Sequence, residues 1–358
     1  MAAPTPARPA AARRVDGTLR RCRELIRPAL EDAVAQLPES PRLLAGYALG
    51  WHGPEGVPRP RGAPDAGGKG IRPALAVLAA EAVGGSAGQA VPGAVAVELV
   101  HAFTLVHDDI MDRDELRRRR PAVWRAFGTG PAVLTGDALL ALALNVLVQH
   151  TRRHCREEAM RLLCAALSGL MHGQARDLGF ETRPWRGGGA VTPEEYRTMA
   201  GDKTGALLGS AAALGALLAG ADERQVTAMG AAGREFGLAF QIVDDLLGIW
   251  GDPARTGKPA GGDLRRGKKS LPVLLALDSG TSAAGRLAEL LDGAGALSEE
   301  TAPRAVRLIE EAGGRDLAAA EARAALERAG AALDALPLRP SARGELAALG
   351  GYALTRTG

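Results

Sequence analysis

No stretch of this chain alternates apolar and polar residues with the two-residue period of a strand. Instead, segments rich in alanine and leucine place apolar residues at helical spacing from about Thr18 onward. ALAVLAAEAV (74–83), DALLALALNVLVQH (137–150) and AMRLLCAALSGLMHG (159–173) are built from strong helix formers and contain few β-branched residues. An all-α fold follows. Of the 358 residues 46% are hydrophobic but only 3% aromatic, so the helices must pack through aliphatic side chains and alanine. Glycine and proline interrupt the pattern at Gly53 to Gly70, Gly84 to Gly93, Arg183 to Gly189 and Gly251 to Gly262. Thr192, Pro193, Glu194 and Glu195 form a helix start, and a second start is expected near Ser298 with Glu299 and Glu300 behind it. With no repeat and no long linker, the expectation is one helical domain over 18–358. It follows a disordered Ala/Pro/Arg-rich tail over 1–17, for which a docking or transit peptide is the alternative reading.

Forty-four basic residues against 41 acidic ones leave a net charge of +3, too even for a dedicated nucleic-acid binder. Any anion site must be local. Cys22, Cys155 and Cys164 lack the number and spacing of a disulfide framework or a zinc site, which suits a reducing cytoplasm. The longest uncharged stretch, Thr204 to Ala221, approaches the length of a membrane span. Gly205, Gly209, Gly215 and Gly220 interrupt it, and it reads as a closely packed helix of a protein that does not cross a membrane.

Chemistry concentrates at two acidic helix ends. ELVHAFTLVHDDIMD (98–112) is apolar and helical until Asp108, Asp109 and Asp112. Asp108 and Asp112 lie about 40° apart on the wheel, one turn apart along the axis, so both carboxylates share a face. Two anions near a helix C-terminus call for a cationic complement, and magnesium suits hard oxygen ligands that share it with a substrate's phosphates. A solvated acidic helix end is the bland alternative. FQIVDDLLGIWGD (240–252) repeats the pattern with Asp244 and Asp245, and two such ends point to one metal–diphosphate site. Cations follow each. Lys69 and Arg72 lie in GGKGIRP at a helix entrance, where free amides also favour phosphate; Arg117 to Arg120 follow the first cluster; Lys258, Lys268 and Lys269 follow the second.

This ordered series resembles the all-trans polyprenyl diphosphate synthases, which include farnesyl and geranylgeranyl diphosphate synthases. The likeness runs from about Gly67 to Pro272 through G-G-K-x-x-R-P, D-D-x-x-D with trailing arginines, G-Q-x-x-D, K-T, F-Q-x-x-D-D and G-K-P-x-G-x-D-L-R-x-G-K-x-S-L-P. It implies an isoprenoid synthase type I helical bundle around a central cavity. It also implies magnesium-dependent condensation of isopentenyl diphosphate with an allylic diphosphate, with three ions held by Asp108, Asp112 and Asp244 and supported by Asp109 and Asp245. By the same resemblance Arg117, Lys203, Lys258 and Lys268 contact the allylic diphosphate. Lys69, Arg72, His101 and Arg118 form the isopentenyl diphosphate pocket, and Gln174, Asp177, Thr204 and Gln241 line the reaction centre. His101 also stands on the wheel within about 20° of Asp108. A homodimer is implied as well.

Gly248 stands where many family members carry the last aspartate of the second motif, and Gly248→Asp is expected to leave activity equal or higher. Arg119 replaces a common glycine. Phe103 and Thr104, five and four residues before Asp108, are the positions that limit chain growth in relatives, with Val100 one turn deeper. An aromatic followed by a small residue resembles archaeal-type geranylgeranyl synthases, so a twenty-carbon product is expected, with farnesyl or longer products as alternatives. A class I terpene cyclase would show an N-D-x-x-S-x-x-x-E motif, which is absent, and a non-catalytic subunit would have lost more of the ligands.

Overall fold

The computed structural model describes residues 10–60, 68–251, 261–294 and 297–354. Apart from one two-residue hairpin and an isolated bridge, the regular structure of these residues is helical. The first helix, α1, spans Ala10–Ala35, which corrects the expected boundary of the tail. Val15, Leu19, Cys22, Ile26, Leu30 and Val34 recur at helical spacing and are each at most 5% exposed. Val15 therefore opens the buried stripe, and the alanines and arginines before it extend the helix as favourable formers. Residues 1–9 of the expected tail lie outside the described residues.

The helices α2 (Glu39–Ala48), α3 (Ile71–Ala82), α4 (Val91–Met111), α5 (Val123–Phe127) and α6 (Thr129–His150) follow, with strands β1 (Leu116–Arg117) and β2 (Arg120–Pro121) inserted after α4. Next come α7 (Arg156–Glu181), α8 (Pro193–Ala200), a π-helical turn over Gly201–Gly205, α9 (Ala206–Leu218) and α10 (Glu223–Trp250). The remainder comprises α11 (Gly262–Arg265), α12 (Leu271–Asp278), α13 (Ser282–Ala294), α14 (Ala302–Glu311), α15 (Gly314–Asp334) and α16 (Pro340–Leu354).

Thr192 caps α8 as expected, its hydroxyl accepting from Glu195 N while the Glu195 carboxylate accepts from Thr192 N. The start expected near Ser298 lies later. Thr301 precedes α14, Pro303 occupies its first turn, and the Ser298 hydroxyl instead accepts from Thr301 N in a turn at 3.2 Å.

The chain divides into two compact units, each discontinuous in sequence. The first comprises residues up to Leu163 with Ser210–Met229 and Pro337–Ala348. Within it α4 packs along α6 and α3, and Leu44, Tyr47, Val106, Val123 and Ala132 form one core cluster. The second comprises Cys164–Gly209, Gly230–Leu336 and the residues from Leu349. There α12 packs on α15, and Tyr196, Met199, Ile242, Val243 and Leu271 form a core beneath the second acidic cluster.

Of Thr204 to Ala221, the stretch weighed as a membrane span, Thr204 to Ala216 is buried throughout, while Leu217 and Ala219 are half-buried and Gly220 is exposed. Two other helical stretches, Ala87–Met111 and Thr129–His150, are long and apolar enough to cross a membrane by length and composition. They contain α4 and α6, which pack on each other inside the first unit.

Candidate active site

In the first unit the site grows from the C-terminal turn of α4. Asp112 ends the helix, its N–H donating to Asp108 O at 2.8 Å. Asp108 is half-buried and Asp112 exposed, while Asp109 turns inward and is 2% exposed. Asp109 accepts from Arg117 Nε at 2.8 Å and also from Arg117 Nη2. Burial pushes the Asp109 carboxyl up and Arg117 pulls it back down. Arg117, assigned from sequence to an allylic diphosphate, is therefore held against Asp109 here.

Beyond Arg117 the chain reverses at Arg118 and Arg119, whose φ angles of 51° and 60° give a two-residue turn with both central residues left-handed. Arg118 thereby enters a recess lined with Gly68, Glu98, His101, Ala102, Leu105 and further residues. Arg72 lies in the first turn of α3 with Lys69 exposed just before it, and between them Gly70 takes φ 72° with Arg23 filling the space a side chain there would need. Arg72 Nη1 lies 3.2 Å from His101 Nε2. Burial, reinforced by Arg72, Arg118 and Arg117, holds the His101 pKa well below its ordinary value, so the ring is neutral and Nε2 accepts.

Glu98 was missed in the sequence. Burial raises its carboxyl against the pull of Arg72, Arg118 and Arg23. Its signal was available: one turn before His101 on an apolar helix, an acid requires a reason to be buried.

The chain-length candidates lie elsewhere on α4. Val100 is fully buried, Thr104 Oγ1 donates to His101 O at 2.9 Å, and the Phe103 ring meets His107 edge-on at 4.9 Å. His107 Nε2 in turn lies 3.0 Å from Val133 O of α6. The recess is lined by His101, Ala102, Leu105 and Val106 from this stretch, not by Val100, Phe103 or Thr104.

In the second unit, α7 supplies Gln174 and Asp177. Gln174 is 7% exposed and neither atom of its amide has a hydrogen-bond partner. Asp177 accepts from Lys203 Nζ. Lys203 and Thr204 come from the π-helical turn, a distortion common at functional sites. It lies so close to α7 that a Cβ on Gly173 would come 2.6 Å from Lys203 Cα.

Thr204 Oγ1 donates to Gln241 Oε1 at 2.7 Å, and Gln241 Nε2 lies 3.3 Å from Asp245 Oδ1. Asp245, fully buried, also accepts from Tyr196 OH at 2.6 Å and Leu271 N at 3.0 Å, with Lys268 Nζ 3.6 Å away. Burial pushes this carboxyl up while Lys268 and Tyr196 oppose it. Burial alone would lower Lys268, but Asp245 and Asp263 outweigh it and keep the lysine charged. Asp244 remains half-buried. Tyr196 had no motif to mark it. Lys258 lies outside the described residues.

Gly248 faces the side chain of Asp263. A Cβ there would lie 2.6 Å from the carboxyl carbon of Asp263 and closer still to its Oδ2. A side chain at 248 therefore requires the Asp263 carboxylate to move from this place.

The Polyprenyl synthetase family model matches residues 62–309, which contain every described site residue named above. The chain belongs to the polyprenyl synthetase family. Its chemistry is that of a trans-prenyltransferase. It is 44% identical over 319 residues to a geranylgeranyl diphosphate synthase of Mycobacterium tuberculosis, covering 89% of this chain and 88% of that one. It is 47% identical over 303 residues to a (2E,6E)-farnesyl diphosphate synthase of Mycobacterium bovis, covering 84% and 82%. Among solved structures, a polyprenyl synthetase from Streptomyces coelicolor A3(2) superposes with a TM-score of 0.87 at 45% identity, covering 95% of this chain and 99% of that one.

Proposed function

We propose that this polyprenyl synthetase condenses isopentenyl diphosphate with an allylic diphosphate in a magnesium-dependent reaction and makes chiefly geranylgeranyl diphosphate. The observation that carries this reading is the first-unit recess, where Arg118, His101 and Glu98 line a cavity next to the acidic end of α4. Such a recess takes a small, highly charged diphosphate beside an apolar wall.

The acidic ends fit magnesium. Among the described residues no three His, Cys, Asp or Glu side chains converge to hold a metal alone. Asp108 and Asp112, two hard oxygen donors one turn apart, match an ion that completes its shell with water and substrate phosphate. Asp108, Asp112 and Asp244 would hold three ions, which supply positive charge to the departing diphosphate.

The chain's own groups do the rest. Lys203, Lys268, Arg117 and Lys258 bind the allylic diphosphate, while Asp177 and Asp245 fix two of those lysines. Lys69, Arg72, Arg118 and neutral His101 hold isopentenyl diphosphate, and Gln174, Thr204 and Gln241 border the reacting carbons. The allylic carbon–oxygen bond breaks with its electron pair leaving on diphosphate. The double bond of isopentenyl diphosphate then attacks the cation, and a proton passes to the released diphosphate. Fixed cations in a water-poor cavity favour that charge separation.

A twenty-carbon product is supported by the small Thr104 beside the aromatic Phe103. The 47% identity to a farnesyl diphosphate synthase favours fifteen carbons as the second reading. A homodimer is supported by α6, whose outward stripe leaves Val133, Leu134 and Val148 at 37%, 67% and 42% exposure. We place the enzyme in the cytoplasm, outside the membrane.

Incubation with magnesium, isopentenyl diphosphate and each allylic diphosphate in turn, followed by chromatography of the products, tests the proposal. Linear twenty-carbon diphosphate is expected; a cyclic hydrocarbon or no product refutes it.

A further inference from the structure

The segment after α10 returns to that helix at three points. Gly261 N donates to Ile249 O at 3.1 Å, and Leu271 N donates to the Asp245 carboxylate at 3.0 Å. The middle point is Asp263, only 7% exposed, whose carboxylate occupies the space over Gly248 that any side chain there would fill. Gly248 is one turn beyond Asp244 on the same face of α10. Asp263 Oδ1 accepts from Arg266 Nη2 at 2.8 Å, and its backbone carbonyl accepts from Lys268 N at 3.0 Å. Between them Gly267 turns the chain with φ 69°. One residue therefore touches α10 through its side chain and sets the turn that carries Lys268 through its backbone.

We propose that Asp263 is a positioning residue for diphosphate binding: seated in the notch left by Gly248, it holds the 266–268 turn so that Lys268 is presented beside Asp245. Any side chain at 248 displaces the carboxylate from that notch. The negative charge of Asp263 serves two purposes. It keeps Arg266 folded onto α11, and with Asp245 it balances the half-buried ammonium of Lys268. An amide of the same shape preserves the packing but weakens the Arg266 hydrogen bond and removes the charge.

The inference rests on the reading that Lys268 contacts a diphosphate, and that reading is tested separately by Lys268→Ala. The full-length protein is titrated calorimetrically with inorganic pyrophosphate in magnesium buffer, and every variant is melted to check folding. Wild type should bind and Lys268→Ala should bind weakly; equal binding in the two refutes the Lys268 reading itself.

If wild type and Lys268→Ala differ, Asp263→Asn should bind about tenfold more weakly with an unchanged melting temperature, the loss expected for one charge-assisted hydrogen bond. Gly248→Asp should weaken binding at least as much. The double variant Gly248→Asp/Asp263→Ala, which moves the carboxylate onto α10 and empties its old place, should bind better than Gly248→Asp alone. Wild-type binding by Asp263→Asn, or by Gly248→Asp with Asp263 intact, overturns the proposal. So does a folded double variant no better than Gly248→Asp. Should Gly248→Asp fail to fold, Gly248→Ala takes its place, with weakened binding expected and wild-type binding contradicting it.

Discussion

Tyr196→Phe removes a single oxygen from a fully buried contact and asks whether Asp245 is the anionic anchor of the second acidic cluster. The phenol donates to Asp245 Oδ2 at 2.6 Å, and neither residue has appreciable exposure. After the change Oδ2 keeps only Leu271 N, while Oδ1 keeps Gln241 and the nearby Lys268. A hydrogen bond to a charged group contributes about 1.5–3 kcal/mol, and phenylalanine leaves no orphan donor behind, so a loss of about 2 kcal/mol is expected. For a chain of 358 residues that is a fall in Tm of about 3 °C. Urea unfolding at neutral pH measures it, and a double-mutant cycle with Asp245→Asn assigns it, since the Tyr196 change should cost much less once the carboxylate is gone. A loss below about 0.5 kcal/mol, or equal losses in both backgrounds, refutes the view that the phenol stabilises a buried carboxylate.

Other outcomes follow from strained or exposed positions. Arg119→Gly relieves a left-handed arginine at φ 60° and should raise stability by about 0.5–1 kcal/mol in urea unfolding, after allowance for the more flexible unfolded chain. Phe103→Ala, which empties the contact with His107, should lengthen the product, and Thr104→Phe should shorten it toward fifteen carbons; chromatography reads both. Leu134→Glu puts a charge on the outward apolar stripe of α6 and should convert a dimer to monomer in sedimentation at micromolar protein.

The helical class and the place of the acidic residues toward the ends of α4 and α10 were legible because each has a local signature: a 3.6-residue period, a capping residue, or a motif of fixed spacing. Thr192 and Glu195 read correctly since a capping box is closed within four residues. What escaped depends on partners distant in sequence. Val15 looks like part of a tail until its burial stripe with Leu19 and Cys22 is seen. Tyr196 is an ordinary helix residue until α10 brings Asp245 against it, 49 positions away. Glu98 reads as a charged position on an apolar helix, and the arginines from α1, α3 and the hairpin explain its half-buried place there. Gly248 was judged by what relatives carry there, whereas the space over it belongs to Asp263, 15 residues later. Phe103 faces His107 and not the recess, in keeping with its position on the wheel some 140° from Asp108.

Turnover of isopentenyl diphosphate with an allylic primer by wild type and by Asp108→Ala, each with magnesium and with chelator, tests the central claim most directly. The acidic end of α4 should be indispensable: wild type makes linear prenyl diphosphate only with magnesium, and Asp108→Ala, with its melting curve intact, makes none. Undiminished product from the folded variant, or from wild type in chelator, would contradict it.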